Sequence, residues 1–340
     1  MKEIKNRSKK STIKKIIIKI SRFFGYEIID QNKFEIPTLN KTLVDEISII
    51  GNKSINLPLG EVKITRPVKA LDIIIRTCTE VNMLTQSKKR IFEKEKIEYT
   101  LRCIRSILHS INSGKQLKKI KINIKVIDHN SKKANLDKID KLFKSFGKNY
   151  DLINLDVSKF EKNIVKTNQK NQTVTTNQMS NMANIHQSLI EAKDSEDLIY
   201  FVEDDYIHSK NAINDMILTY ERISSQINND LFLCPTDYPY LYSKAEPTQI
   251  FLGESLHWRK INETLCTFLT SKKIINHHWD TLKSMCELEH YPFEKPLHSI
   301  YEKELCLSPI PSLAIHCTNV NSIFGLSPNI DWKKLWDENS

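Results

Sequence analysis

The chain has 340 residues, 40% of them hydrophobic and 27% charged, with a formal net charge of +10 and only seven glycines. That length and composition suit one large α/β domain with an extension, or two domains, around a sizeable core. The glycines lie too far apart for a G-x-G-x-x-G turn or a P-loop, which excludes the usual dinucleotide fingerprint and the Walker A phosphate cradle.

The charge sits at the start of the chain. Residues 1–22 hold nine lysines and arginines against Glu3 alone, a net +8, leaving +2 for the remaining 318 residues. A nucleic-acid protein spreads basic residues over a folded face, so no nucleic-acid partner is expected. From Ser11 to Phe24, Ile13, Ile16, Ile17, Ile20 and Phe24 follow helical spacing among Lys14, Lys15, Lys19 and Arg22, and Gly25 can close the helix. A basic amphipathic helix of this kind suits an anionic membrane surface, which residues 11–24 would meet without crossing; packing on its own domain is the alternative. Residues 26–68 show little periodicity and read as an extension. The domain division expected is therefore 1–68 and 69–340.

A regular pattern begins at Leu71. Short apolar strands are predicted over 71–75, 122–127 and 150–155, with helices over 97–111, 136–146 and 177–192 between and after them. A fourth strand, Leu198–Val202, ends in Glu203, Asp204 and Asp205. The order β-α-β-α-β-α-β predicts an α/β fold with a mostly parallel, doubly wound sheet. Beyond it, a helix over 212–227, strands over 231–234 and 264–271 and a helix over 272–289 are predicted. Residues 235–260 read as a long active-site loop, and residues from Pro292 onward as irregular.

The seven cysteines are odd in number, widely spaced and without a C-x-x-C. Reduced thiols in a cytoplasmic location are expected, with peripheral attachment at the inner face of the membrane through the basic helix. No apolar run reaches the ~20 residues a membrane span needs.

Three strand ends carry the chemistry. The first ends in Arg76-Thr77-Cys78-Thr79, the second in Asp128-His129-Asn130-Ser131 and the fourth in Glu203-Asp204-Asp205. In a parallel sheet they share one edge and can surround one ligand, although each is also an ordinary polar turn. A nucleoside diphosphate held through Mg²⁺ or Mn²⁺ fits the set, because hard cations prefer oxygen ligands. Side chains alternate along a strand, so Glu203 and Asp205 would point one way and Asp204 the other.

These residues resemble the glycosyltransferases of the GT-A fold, especially family 2-like members, over roughly residues 70–320. The resemblance implies a metal-dependent transfer of a sugar from a nucleotide-sugar donor, UDP-linked by expectation, to a glycan, glycolipid or membrane-lipid acceptor. It implies a donor-binding half over about 69–210 and an acceptor-binding half over about 211–340. It implies Asp128 on the uracil or ribose, Asp205 on the metal, Asp204 or Glu203 on the ribose or sugar, and Asn184 on the helix before the metal strand. His316, after the apolar Leu313-Ala314-Ile315, would close the metal shell, ahead of His290, His298 and the His277-His278 pair.

An inverting transferase needs a carboxylate base, and the family's Glu-Asp pair is missing after the metal strand. Asp237, Glu302 and Glu304 are the candidates. His257, Trp258 and Arg259 could line the donor or acceptor pocket. Two rival readings remain: a sugar-phosphate nucleotidyltransferase, whose glycine-rich loop is lacking here, and a non-catalytic membrane-recruited protein on a degenerate scaffold.

Overall fold

A computed structural model of the chain describes residues 12–26, 62–81, 89–243 and 248–340. The chain divides into two compact units, Met1–Val62 and Lys63–Ser340. In the first, the described residues form the helix α1, Thr12–Phe23. Most of the extension expected over residues 26–68 lies outside the described residues. No helix among the described residues is long and apolar enough to cross a membrane.

The second unit is built on a nine-stranded sheet in the order β3-β2-β1-β4-β9-β6-β10-β8-β7. Its first four strands are β1 (Ala70–Thr77), β2 (Lys121–Asp128), β3 (Asp151–Asn154) and β4 (Leu198–Glu203), and they pair in parallel. The connecting helices are α2 (Lys96–Ser113), α3 (Lys133–Ser145) and α4 (Thr176–Lys193). Every residue of β1 is buried, as the unbroken apolar run demands of a strand covered on both faces. Helix α2 packs Cys103, Ile104, Ile107, Leu108 and Ile111 into the cluster that also holds Leu71, Ile73 and Ile75. On the other face, Ile185 and Leu189 of α4 join Ile74, Ile127, Ile199 and Phe201.

The direction of winding reverses between β1 and β4, since β2 and β3 lie on one side of β1 and β4 on the other. That places a topological switch point at the carboxyl ends of β1 and β4, where open α/β sheets bind ligands.

Beyond β4 come β5 (Tyr206–His208), α5 (Ala212–Ile227), β6 (Phe232–Leu233), β7 (Ile250–Leu252), β8 (His257–Lys260) and β9 (Phe268–Ser271). The chain continues with α6 (Lys272–His277), α7 (Trp279–Glu287), α8 (Lys295–Tyr301), β10 (Cys306–Ile310), β11 (Ala314–His316) and α9 (Trp332–Glu338). Here the sheet turns mixed: β9 runs antiparallel to both β4 and β6, β10 runs parallel to β6, and β8 runs antiparallel to β10 and β7.

Three expectations are corrected. The stretch read as a long loop over 235–260 contains the β7–β8 hairpin, with Trp258 fully buried. The run read as irregular after Pro292 supplies α8, β10, β11 and α9. These strands are too short, and β10 is interrupted by Pro309, for period-2 alternation to show. The helix expected over 272–289 is two helices, because His278 leaves helical geometry at φ −106° and ψ 21°.

Candidate functional site

The carboxyl ends of β1 and β2 are welded by one carboxylate. Thr77 and Asp128 are register partners, and Asp128 accepts from the Thr77 hydroxyl at 2.7 Å, the Ser131 hydroxyl at 2.6 Å and the Ser131 amide at 3.0 Å. Ser131 Oγ also accepts from the Thr79 amide at 3.0 Å. The structure thus brings Thr77, Asp128 and Ser131 together, with Asp128 engaged by its own turn. Asn184 lies beneath this edge and donates to the Ile127 carbonyl at 3.2 Å, while its buried Oδ1 has no hydrogen-bond partner. It supports β2 from below.

At the switch point Arg76 of β1 is the register partner of Glu203 of β4, and their side chains form an ion pair at 3.0 Å. Arg76 also donates to Asn181 Oδ1 of α4 at 3.0 Å.

The expected alternation of Glu203, Asp204 and Asp205 stops at Glu203, because β4 ends there and the chain turns into β5. Asp204 and Asp205 therefore meet the same cation. Lys96, the first residue of α2, lies 2.6 Å from Asp204 and 3.7 Å from Asp205. Thr100, one helical turn on, donates to Asp204 at 2.7 Å. Asp204 thus faces α2.

Asp205 forms a 2.5 Å ion pair with Arg90. Arg90 also donates to the Cys317 carbonyl at 3.0 Å and lies over the Tyr99 ring at 5.2 Å. The turn after it places Phe92 at φ 71° and Glu93 at φ 48°, left-handed conformations that bulky residues rarely adopt. Phe92 is stacked on Trp336 at 4.0 Å, and the Tyr99 hydroxyl donates to the Ile91 carbonyl, so packing fixes the turn that presents Arg90.

His316 arrives through β11, which pairs antiparallel with β5 and sets His316 opposite Tyr206. The rings stack at 4.6 Å with an interplanar angle of 6°. Nδ1 donates to the Phe324 carbonyl at 2.7 Å, turning Nε2 toward Asp205 Oδ1 at 3.6 Å. Burial acts to lower the His316 pKa, but the Asp205 charge prevails and holds it above the usual histidine value. Burial acts to raise the Asp205 pKa, yet Lys96, Arg90 and His316 hold it well below the carboxylate range.

Asp205 and His316 therefore come together as the sequence led us to expect, but their surroundings do not suit a divalent ion. Asp205 already meets two full positive charges, and the facing imidazole is drawn toward its protonated, non-ligating form. Two unit charges about 4 Å apart repel by about 4 kcal/mol at an effective dielectric of about 20, and a divalent ion doubles that against each cation. The donor set does not fit Mg²⁺ or Mn²⁺ as arranged.

The three expected bases are all placed elsewhere or engaged. Asp237, fully buried, is held by Arg259 and Tyr242. Glu302 and Glu304 lie just before β10, which runs parallel to β6 and, through β9, in the same direction as β4. They are therefore at the opposite sheet edge from Asp205. Glu302 is exposed, and Glu304 pairs with His278 at 2.9 Å.

The same topology points to a residue that the sequence reading missed. Helix α8 leads back to the start of β10, so its own start, at Glu294, lies at the edge where β4 ends. Glu294 is within electrostatic reach of Glu203, Arg76 and His316. Burial, joined by the nearby Glu203 charge, pushes its pKa up to about 7. The signal in the sequence was an acid directly before Lys295-Pro296, since proline favours the first turn of a helix.

No family model and no curated relative matches the chain. Among solved structures it is similar to TarS of S. aureus, at 10% identity and a TM-score of 0.33 over 62% of this chain; it spans 30% of that chain. It is also similar to a UDP-glucose pyrophosphorylase complexed with UDP-glucose, at 7% identity and a TM-score of 0.40 over 80% of this chain and 98% of that one. A third is mouse xyloside xylosyltransferase 1, at 10% identity and a TM-score of 0.36 over 69% and 75%.

Proposed function

We propose that the chain is a glycosyltransferase that binds a nucleotide-diphosphate sugar at the β1/β4 switch point and uses Glu294 as the base that activates the acceptor hydroxyl. The observation that carries this is the gathering of the Arg76–Glu203 and Asp205–His316 pairs at that edge, with Glu294, at the start of α8, within electrostatic reach of Arg76, Glu203 and His316.

Glu294 accepts the hydroxyl proton as the acceptor oxygen attacks the anomeric carbon, and the nucleoside diphosphate leaves with the bonding electrons. A base works best with a pKa near the working pH, which burial gives Glu294. The β1 and β2 turns around Asp128 frame the nucleoside side of the cleft, and Arg76 stands beside the departing diphosphate. The acceptor is a glycan or a lipid. The basic face of residues 11–24 favours one presented at an anionic membrane surface.

A thermal-shift panel of UDP-, GDP-, CDP- and TDP-sugars, followed by assay of nucleoside-diphosphate release, tests the reading. One donor class should raise Tm, because only a ligand of the native state stabilises it. Pyrophosphate release from a nucleoside triphosphate and a sugar phosphate would assign nucleotidyl transfer instead.

A further inference from the structure

We infer that Arg90 and Lys96 stand where a divalent ion would stand, so that the site binds the diphosphate of its nucleotide without a metal. The inference rests on the donor-site reading above.

Three carboxylates, Glu203, Asp204 and Asp205, meet three cations, Arg76, Lys96 and Arg90, in pairs of 3.0, 2.6 and 2.5 Å. The acids are thus neutralised by the chain itself, the service a metal performs at such an edge.

These cations are built in. Arg90 and Lys96 are largely buried, Arg90 is held by a carboxylate, a carbonyl and an aromatic ring, and its turn keeps two left-handed residues in place by stacking on Trp336. Lys96 is fixed by being the first residue of a long, well-packed helix. A guanidinium and an ammonium at one point suit a diphosphate, the first through a planar fork of donors and the second as a compact charge.

Two titrations test this, both on the whole 340-residue chain. The first follows Mn²⁺ binding by electron paramagnetic resonance, in the wild type and in an Arg90→Gln/Lys96→Gln variant. The second follows UDP binding by calorimetry, in EDTA and again with MnCl₂. The wild type should bind no stoichiometric Mn²⁺ and should bind UDP within about twofold equally in both buffers. The variant should lose at least about tenfold in UDP affinity in EDTA, a 1.4 kcal/mol change, and regain it with Mn²⁺. Stoichiometric Mn²⁺ binding by the wild type, or UDP binding that requires Mn²⁺, would overturn the inference. If the variant does not fold, the wild-type Mn²⁺ titration decides. If the wild type binds no UDP in either buffer, the donor reading falls, while the Mn²⁺ titration still tests Arg90 and Lys96.

Discussion

Arg90 and Asp205 form a buried ion pair at 2.5 Å that joins the segment before α2 to the turn after β4. Removing one member of such a pair leaves an uncompensated charge and costs about 3–5 kcal/mol, whereas replacing both with apolar groups is often near neutral. Asp205→Asn and Arg90→Met should each lower the urea midpoint strongly. The double variant Arg90→Met/Asp205→Leu should recover much of the loss. Independent, additive losses in urea denaturation would show that the pair is not coupled.

Glu294→Gln should lower kcat by about 10²–10⁴-fold with little change in donor affinity, the signature of a lost base. Because burial raises the Glu294 pKa to about 7, the carboxylate that accepts the proton disappears as pH falls through that value. The wild-type rate should therefore rise with pH across about 7, and the residual rate of the variant should not. A kcat profile from pH 5.5 to 8.5 measures both.

His208 is fully enclosed, bonded to Tyr200 at 2.5 Å and to Ser106 at 3.3 Å, and burial lowers its pKa to about 3. A histidine depressed in the folded state adds stability above its unfolded value near 6.5, and that stability is lost as pH falls toward 3 at about 1.4 kcal/mol per pH unit. His208→Gln should flatten the acid limb of the stability curve measured by urea titration between pH 6.5 and 4.5. An unchanged slope would mean that His208 is not the group responsible.

Gly253 opens the β7–β8 hairpin, and a Cβ there would run into the indole of the fully buried Trp258 and into Thr219 Oγ1. Gly253→Ala should cost about 1–3 kcal/mol through overpacking. A shift in the urea midpoint at unchanged m-value reads the effect directly.

Residues 11–24 should bind vesicles containing phosphatidylserine and not neutral phosphatidylcholine vesicles, each basic residue adding about 1 kcal/mol near the surface. Raising salt should release them as the Debye length shrinks. Lys15→Glu/Lys19→Glu should weaken co-sedimentation, and equal binding to neutral vesicles would sink the electrostatic account.

The sequence by itself determined the parallel half of the fold. Buried strands write themselves as unbroken apolar runs, so β1 and β4 were legible to within two or three residues, and the polar residues that end them marked the edge that matters. The meeting of Asp205 with His316 followed from the resemblance to GT-A enzymes and not from the apolar runs that precede the two residues. Tertiary structure alone decided what surrounds them. Arg90 and Lys96 lie more than a hundred residues before Asp205, and no local pattern says that a lysine at a helix start will face an acid across the core. Strand direction likewise sent Glu302 and Glu304 to the far edge and kept Glu294 at the near one, and direction in the mixed half is set by pairing that spacing does not encode. Local chemistry fixes where a strand ends; only long-range packing fixes which charges meet there.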